Sequence, residues 1–298
     1  RSRADAEVAL AIRSAAPLEP WKDPAAQPFL RIEGITKTFG SVTAVKNVSL
    51  EIPRNQVIGL IGENGAGKST LLKILSGLHE PDAGVMEVHG TAVKFRRPQH
   101  AVAAGFGVVH QEQSLLTNLS VAENIFIGRF PMRGFAIDWK AIEREAQAAL
   151  AALNIHVDVT RTLSEYPVAI QQMVAIARAL STDAQVLILD EPTSSLDEDE
   201  VERLFDALRE LKRKGIAILF VTHFLDQTYA ISDRITVLRN GEFIGEYMAS
   251  ALSRLDLINT MVGREINESS YAVQNAGDES HVANKPFVSA QGLGSTGN

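Results

Sequence analysis

The most constraining feature of this chain is a nine-residue stretch, Gly62-Glu63-Asn64-Gly65-Ala66-Gly67-Lys68-Ser69-Thr70, in which three glycines fall within six residues. The apolar run 57–61 comes immediately before it, and the mostly apolar run 71–75 comes immediately after it. A strand, a glycine-rich turn and a helix in this order are typical of a strand–loop–helix unit in a parallel sheet. The stretch therefore predicts an α/β fold with this loop at the carboxyl edge of the sheet.

The same stretch fits the phosphate-binding pattern G-x-x-x-x-G-K-[ST]. Glycines let the backbone form a concave nest of inward-pointing N–H groups, and the helix N-terminus adds its positive dipole end. Lys68 carries a charge suited to the β- and γ-phosphates, and the Ser69 hydroxyl is a ligand for the Mg²⁺ that bridges them. We predict nucleotide-phosphate binding over Gly62 to Thr70, because a surface turn with a chance lysine leaves the flanking strand and helix unexplained.

Composition limits the function classes. The 298 residues are 45% apolar, carry a net charge of −7 and include no cysteine. Nucleic-acid backbones are held by clustered Lys and Arg, so this acidic balance argues against a nucleic-acid partner. No run approaches the roughly 18 apolar residues of a membrane span, so a role at a membrane would be peripheral. The lack of cysteine excludes disulfides and thiolate metal sites, which fits the cytosol.

The chain divides into three parts. Residues 1–28 are rich in Ala and Pro, which favours a frayed helix and a flexible linker. Residues 29–265 alternate strand-like and helical patterns, with a short antiparallel pair around Gly90 and a change over about 118–180 to helices, which include 141–153 and 170–180. This pattern predicts a P-loop NTPase fold, in which a mostly parallel sheet carries an antiparallel β subdomain and an inserted helical subdomain. Residues 266–298 are polar and rich in small side chains, as in a linker.

Two acids follow the apolar strand predicted over 186–189. Asp190 would emerge at the sheet edge beside the Mg²⁺ of the glycine loop, and Glu191 would orient or deprotonate a water for in-line attack on the γ-phosphate. His223 ends the apolar run 218–222 on the same edge, which favours contact with the γ-phosphate. Strand-end acids and single histidines are also typical of ordinary structure. Beside a phosphate loop, we interpret these three residues as the other half of a nucleotide site.

Phe39 lies next to Gly40, between strands predicted over 29–32 and 45–52. An aromatic ring beside a glycine can offer its flat face to a base, and such stacking contributes about 1–3 kcal/mol. Packing of Phe39 in the protein core is the alternative. The residues alone leave both interpretations open.

These motifs, in this order, resemble those of the nucleotide-binding domain of ABC transporters over about residues 29–265. The resemblance implies Mg²⁺-dependent ATP hydrolysis, with ATP on the Walker A loop from Gly62 to Thr70. It also implies six further roles. Phe39 is then the adenine-stacking aromatic, and Gln111 is the Q-loop glutamine that touches Mg²⁺ and the attacking water. Asp190 is the Walker B acid, Glu191 the catalytic glutamate, Ser195-Leu196-Asp197 the D-loop and His223 the switch histidine. The metal ligands are then Ser69, Gln111 and Asp190, and the catalytic set is completed by Lys68.

One motif departs from the family pattern. The family places L-S-G-G-Q before the helix that runs here from Gln171, and the aligned residues are Tyr166-Pro167-Val168-Ala169-Ile170. In the family, the serine hydroxyl and glycine amides approach the γ-phosphate of ATP held by the opposite domain. Pro167 supplies neither a hydroxyl nor an N–H, and Ala169 adds a methyl group where close approach is needed. We expect an intact Walker side and an impaired signature side.

Three stretches, 108–112, 118–125 and 261–265, look most like ATPases of monosaccharide importers of the ribose, galactose and xylose type. This resemblance implies membrane permease subunits docked over about 112–134, a location on the cytoplasmic face of the inner membrane, and a sugar-binding protein as an indirect partner. The apolar side chains of the docking segment suit a protein core equally well; they are Leu115, Leu116, Phe126, Ile127 and Phe130.

The end of the chain suggests a partner in the same polypeptide. The stretch 286–293 echoes 28–35, with Pro, Phe and Gly at matching places about one domain length apart. Coincidence also produces similarities of this length, but the importer ATPases that the chain resembles are tandem duplications. We expect an N-terminal half, with a second ABC ATPase domain beginning within 266–298.

Two other functions stay open on the sequence. A domain whose signature cannot support chemistry would act as an ATP-gated dimerising module with little hydrolysis of its own. A soluble ABC ATPase of translation or repair is the third hypothesis, although the importer-like residues around Gln111 argue against it. In such an importer, selectivity for the sugar would reside in the binding protein and the permease.

Overall fold

The computed structural model describes residues 28–110 and 115–263. The strands are β1 (Leu30–Phe39), β2 (Val42–Ile52), β3 (Val57–Ile61), β4 (Ala83–Val88), β5 (Thr91–Val93), β6 (Phe106–Val109), β7 (Met132–Arg133), β8 (Ala136–Ile137), β9 (Val186–Asp190), β10 (Ala217–Val221), β11 (Arg234–Arg239) and β12 (Glu242–Met248). The α-helices are α1 (Lys68–Leu75), α2 (Pro98–Ala103), α3 (Val121–Phe126), α4 (Trp139–Ala151), α5 (Val168–Leu180), α6 (Glu198–Arg213), α7 (Leu225–Ile231) and α8 (Arg254–Val262). A 3-10 turn covers Leu163–Glu165.

The larger sheet has six strands in the order β12-β11-β3-β10-β9-β6. All neighbours run parallel except β12, which pairs antiparallel with β11. Successive residues of the central strands enter different cores: Val57 and Ile218 belong to the cluster with α5 and α6, whereas Ile58 and Leu219 belong to the cluster with α1 and the smaller sheet. Burial on both faces explains why the sequences of these strands are unbroken apolar runs. Because β3, β9 and β10 are parallel neighbours, the loops that follow them meet at one edge.

The smaller sheet is antiparallel, in the order β2-β1-β4-β5. Its central strand β1 pairs Leu30 with Ile52 on one side and with Val88 on the other. The turn between β4 and β5 has positive φ at both His89 and Gly90, 52° and 72°, as a tight two-residue hairpin requires. The antiparallel pair predicted around Gly90 is therefore present.

The first hairpin is longer than predicted. β1 and β2 continue through the pair Phe39 and Val42, well beyond the predicted strands 29–32 and 45–52. Most of the added residues are polar or exposed, and backbone pairing with a neighbouring strand does not depend on apolar side chains. The apolar pattern therefore marks only the buried part of each strand.

Helices α3, α4 and α5 pack together over the edge of the larger sheet, and their contacts include the fully buried side chains Ile125, Ile142 and Ile176. Between α3 and α4, the short hairpin of β7 and β8 interrupts the segment predicted as helical. Strands of two residues carry no detectable periodicity, so sequence reasoning missed this hairpin. None of the described helices has the length and apolar character needed to cross a bilayer.

Candidate functional site

The glycine loop connects the buried strand β3 to α1, as predicted. Gly65 and Gly67 have φ values of 84° and 98°, in the left-handed region, and Gly67 is the N-cap residue of α1. No side chain caps this helix terminus. The first-turn N–H groups therefore remain available for an anion, and the helix dipole favours negative charge there.

The loop is pressed against two neighbours that lie far away in the sequence. A Cβ atom on Gly67 would lie 2.5 Å from the Ala44 carbonyl oxygen, and one on Gly62 would lie 2.4 Å from the Leu238 carbonyl oxygen. The Gly241 N–H also donates to the Ala66 carbonyl, at 3.1 Å. These backbone contacts show why glycine is needed at positions 62 and 67, and they brace the loop between β2 and the β11–β12 turn.

Lys68 is buried within the loop, with 9% of its surface exposed. Its Nζ donates to the carbonyl oxygens of Gly62, at 2.5 Å, and Glu63, at 3.2 Å. Burial lowers the pKa of the Lys68 amine, and the nearby carboxylates of Glu191 and Asp190 counteract part of this shift. The loop carbonyls thus hold the Lys68 amine in place. A bound phosphate would stabilise the positive charge of this amine, which burial destabilises.

A cavity of about 320 Å³ lies between this loop and the acids that follow β9. Its walls are the backbone and side chains of residues 64–70, Ala44, Asp190 and Glu191. Burial raises the pKa of Asp190, the Glu191 charge raises it further, and His110, Lys68 and Lys73 act in the opposite direction. The predicted convergence of the two halves of the site is therefore present, because β3 and β9 flank β10 in the sheet.

Glu191 adopts a backbone conformation that is unusual for a residue other than glycine, with φ at 49°. Its N–H donates to the Val221 carbonyl at 2.9 Å, which ties it to the end of β10. Its Oε1 lies 2.9 Å from Nδ1 of His223, whereas Oε2 is buried without a hydrogen-bond partner. Because Glu191 lines the cavity and one of its oxygens has no partner, its carboxylate has acceptor capacity left for a proton or a hydrogen bond from a bound water.

The residues around the cavity fit Mg²⁺ held together with a nucleotide. Mg²⁺ is usually bound by one or two carboxylates plus phosphate oxygens and water. Ser69 has an exposed hydroxyl, and Asp190 is a carboxylate whose charge is destabilised by burial; both line the same cavity. Within residues 28–110 and 115–263, no group of three or more His, Cys, Asp or Glu could hold a metal. A metal here would therefore depend on nucleotide oxygens for the rest of its coordination.

Phe39 does not line the cavity. Phe39 is 44% exposed at the end of β1, with its ring centroid 5.3 Å from that of His79 and 5.6 Å from Nζ of Lys37. Its exposure argues against the core alternative and leaves a ring face that a base can stack on. Gln111 lies outside the described residues.

The residues that align with the family signature, Tyr166 to Ile170, lie at the start of α5. This helix begins at Val168, two residues earlier than the predicted start at Ile170, so Val168, Ala169 and Ile170 form its first turn. Pro167 is the N-cap residue and no side-chain cap is present. The Val168 side chain is 44% exposed, while Ile170 packs against the core. Branched and methyl-bearing side chains therefore occupy the first turn where the family pattern has glycine.

The predicted docking segment is partly core and partly surface. Phe126 is buried, and Leu115 and Phe130 pack against the core, whereas Leu116 is 44% exposed. A cavity of about 580 Å³ lies beside this segment, between β6 and α5; its lining includes Leu115, Ile127, Arg129 and Arg178. The core interpretation therefore applies to Phe126, Leu115 and Phe130, while the exposed side chain of Leu116 is not part of the core.

Sequence reasoning missed one contact next to the site. The Thr193 hydroxyl, two residues after Glu191, donates to Oε1 of Gln227 at 2.5 Å. Gln227 lies in α7, one turn beyond His223. Threonine and glutamine are common polar residues, so only the fold reveals that these two meet.

Comparison with known proteins adds an independent view. A family model described as ABC transporter matches residues 45–194. The galactofuranose transporter ATP-binding protein YtfR of Escherichia coli is 45% identical over 271 residues, which cover 91% of this chain and 54% of that protein. The fructose import ATP-binding protein FruK of Bifidobacterium longum is 44% identical over 272 residues, which cover 91% and 53%. The chain spans about half the length of the curated relatives it matches.

Solved structures agree with this similarity. An ATP-binding cassette of an ABC transporter in its ADP conformation superposes with a TM-score of 0.71 and 26% identity, over 79% of this chain and 97% of that one. A dimeric cassette in a post-hydrolysis state, bound to ADP and Pi, gives a TM-score of 0.63 and 25% identity, over 74% and 98%. The mixed sheet with an antiparallel subdomain is thus the fold of ATP-binding cassettes.

Proposed function

This chain belongs to the ABC transporter family, and we propose that it is the ATP-hydrolysing cassette of a sugar importer. The observation that carries the proposal is the 320 Å³ cavity in which the glycine loop faces Asp190 and Glu191. Its basic and amide-rich wall suits a polyphosphate, and its acidic wall suits a metal and an attacking water. A loop of this kind without the opposing acids would bind phosphate but would lack the groups for hydrolysis.

The substrate is ATP, with its terminal phosphates in the loop from Gly62 to Thr70. Backbone N–H groups of the loop and the amine of Lys68 bind the phosphate oxygens and stabilise the charge that develops on them in the transition state. The exposed ring of Phe39 stacks on the adenine base.

Ser69 and Asp190, together with Gln111, hold Mg²⁺, which when bound neutralises negative charge on the phosphates. The carboxylate of Glu191, which lines the cavity and has one oxygen without a hydrogen-bond partner, accepts a proton or a hydrogen bond from the attacking water. His223, in contact with the other oxygen of Glu191, holds that carboxylate in place and reaches toward the γ-phosphate. Gln111 aligns the same water.

The start of α5 supports an unequal pair of sites. ATP on this chain is completed by the signature of a second ABC ATPase domain, which we place in the same full-length polypeptide. ATP on that second domain meets Pro167 and Ala169, and is turned over poorly. Two residues of the D-loop of this chain, Ser195 and Leu196, line a small cavity together with Asp190 and Glu191.

The names of the relatives support a sugar as the transported solute, since they include galactofuranose, fructose and ribose import proteins. We place the cassette on the cytoplasmic face of the inner membrane, against permease subunits that contact residues within 112–134. A sugar-binding protein is an indirect partner. These names favour the importer over a dimerising module that does not hydrolyse ATP.

Steady-state ATPase measurements test the proposal. The chain alone should hydrolyse Mg·ATP slowly, because two copies have two poor signatures, and activity should appear when a partner cassette with an intact signature is added. The added activity should be lost with Glu191→Gln in this chain, and the partner alone serves as the blank. If the mixture binds ATP tightly but shows no ATPase activity, the proposal of hydrolysis is wrong and the ATP-gated dimerising module is favoured.

A further inference from the structure

The loops after β9 and β10 are joined at two points, of which the proposed mechanism uses only one. The first point is the contact between Glu191 and His223. The second is the hydrogen bond from the Thr193 hydroxyl to Gln227, at 2.5 Å between oxygens. Thr193 is 3% exposed, so the hydroxyl end of this second bond is shielded from water.

The first contact is poorly suited to hold the two loops together. The His223 side chain is 52% exposed, although that of Glu191 is only 11% exposed, so water competes for the imidazole in this contact. His223 also precedes the helix, since α7 has Phe224 as its N-cap residue and begins at Leu225. The position of the imidazole therefore depends on how the first turn of α7 is fixed.

The second contact fixes that turn. Gln227 lies in the first turn of α7, four residues after His223, and Thr193 lies two residues after Glu191. The Thr193–Gln227 bond thus ties the segment that carries the histidine to the segment that carries the carboxylate. Glu191 itself needs external support, because its φ of 49° is unfavourable for a residue with a side chain.

We propose that Thr193 and Gln227 are positioning residues, whose hydrogen bond holds His223 against Glu191 during ATP hydrolysis. The kinetic consequence of this inference rests on the proposed function. The hydrogen bond itself, and its effect on the order of α7, do not depend on that function. Neither residue touches the cavity that holds the phosphates. Loss of the bond should therefore slow the chemical step and leave ATP binding unchanged.

The kinetic experiment uses this chain assembled with a partner cassette that has an intact signature. Thr193→Val keeps the shape of the side chain and removes the hydroxyl, and Thr193→Ser is the matched control that keeps it. We expect kcat to fall about tenfold in the valine variant, as one lost buried hydrogen bond predicts, with KM for ATP within about twofold of wild type. The serine variant should stay within about threefold of the wild-type kcat.

A double-mutant cycle separates positioning from a general structural role. In a His223→Ala background, Thr193→Val should have no further effect on kcat, because the group that it positions is gone. Multiplicative losses in the double variant would overturn the proposal. Gln227→Met is a second route to the same test: its side chain is only half-buried, so this variant is expected to fold even if Thr193→Val does not.

Amide hydrogen exchange gives a readout that needs no activity. Without nucleotide, the amides of α7 should exchange several-fold faster in Thr193→Val and Gln227→Met than in wild type, and those of α6 should not change. Unchanged exchange in α7 would contradict the positioning role. If the wild-type assembly is silent as an ATPase, the proposed function fails, while faster exchange in α7 would still support the bond as a constraint on His223.

Discussion

Two helix N-termini of this protein have the same polarity but different surroundings. Both α1 and α5 begin without a side-chain cap, so each offers free N–H groups and a positive dipole end. At α1 the preceding residue is Gly67, in a left-handed conformation, whereas at α5 it is Pro167. The first terminus lines the cavity of about 320 Å³, whereas at the second the exposed side chain of Val168 borders a much smaller cavity, of about 30 Å³.

The difference shows that an uncapped helix does not make a phosphate site by itself. Around α1, the buried amine of Lys68 supplies charge and the acids after β9 supply the opposite wall. Around the first turn of α5, the side chains of Ala169 and Ile170 supply neither charge nor room. Backbone amides become selective for a nucleotide only where the neighbouring side chains leave space and add complementary charge.

The largest expected effect separates chemistry from binding at the α1 site. Glu191→Gln should lower the ATPase rate of the assembled cassette about 10²- to 10⁴-fold, because the water loses its proton acceptor. Glutamine has the same shape, so the Kd for Mg·ATP should stay within about threefold. Steady-state ATPase assays and nucleotide titration measure both quantities. Glu198→Gln, at an exposed position of α6, is the control. A similar loss of ATPase rate there would show that removing a negative charge, and not removing the proton acceptor, slows hydrolysis.

The next effect tests the charge of the glycine loop. Lys68→Ala should weaken Mg·ATP binding roughly a hundredfold, because charge-assisted hydrogen bonds to the phosphates are lost. Lys73→Ala, an exposed lysine on the same helix, should change the Kd by less than about twofold. Isothermal titration at one salt concentration compares the three proteins. Equal Kd values for wild type and Lys68→Ala would remove the basis for a phosphate site at α1.

A smaller effect distinguishes the two glycines of the loop. Gly67→Ala combines a positive φ with a Cβ atom 2.5 Å from the Ala44 carbonyl oxygen, and should lower the free energy of unfolding by about 3 kcal/mol. Gly65 also has a positive φ, but a Cβ there meets nothing within 4 Å, so Gly65→Ala should lose only about 1 kcal/mol. Urea denaturation measures the difference. Equal losses would mean that the contact with Ala44 does not constrain the loop.

The smallest effect concerns the start of α5. Changing Pro167→Ser, Val168→Gly and Ala169→Gly together should raise turnover of ATP on the partner cassette by about tenfold, the gain expected from one charge-assisted hydrogen bond. The assay uses this chain with Glu191→Gln, so that the remaining hydrolysis belongs to the partner. Pro167→Ala alone restores an N–H but no hydroxyl or glycine, and should change little. If the triple variant gives no gain, the aligned residues are not the cause of the impairment.

Much of the α1 site was predictable from local patterns. The strand from Val57 to Ile61, the glycine loop and the acids at 190 and 191 are contiguous stretches, and the rule that parallel strands end at one edge brings them together. The signature residues were likewise assigned to a helix start, although the helix begins two residues earlier than predicted. Helix ends are set by capping and packing, which periodicity locates only to within a few residues.

The remaining features depend on contacts between distant residues. Nothing in the segment around Ala44 indicates that its carbonyl closes over Gly67, and nothing in the polar residue Gln227 indicates a bond to Thr193. The buried, unpartnered oxygen of Glu191 also follows from the way that β9 and β10 pack. Such features require the register of neighbouring strands, which sequence periodicity does not contain.

The sequence by itself determined the chemistry of this protein: a phosphate loop, strand-end acids and a proline where the family has serine can be read residue by residue, because each depends on side-chain type and local spacing. Only the tertiary structure decided which backbone atoms confine the loop, how Lys68 is buried, and which polar pair joins the Glu191 and His223 segments. These properties arise when strands distant in the chain become neighbours, since packing and desolvation are properties of the assembled fold.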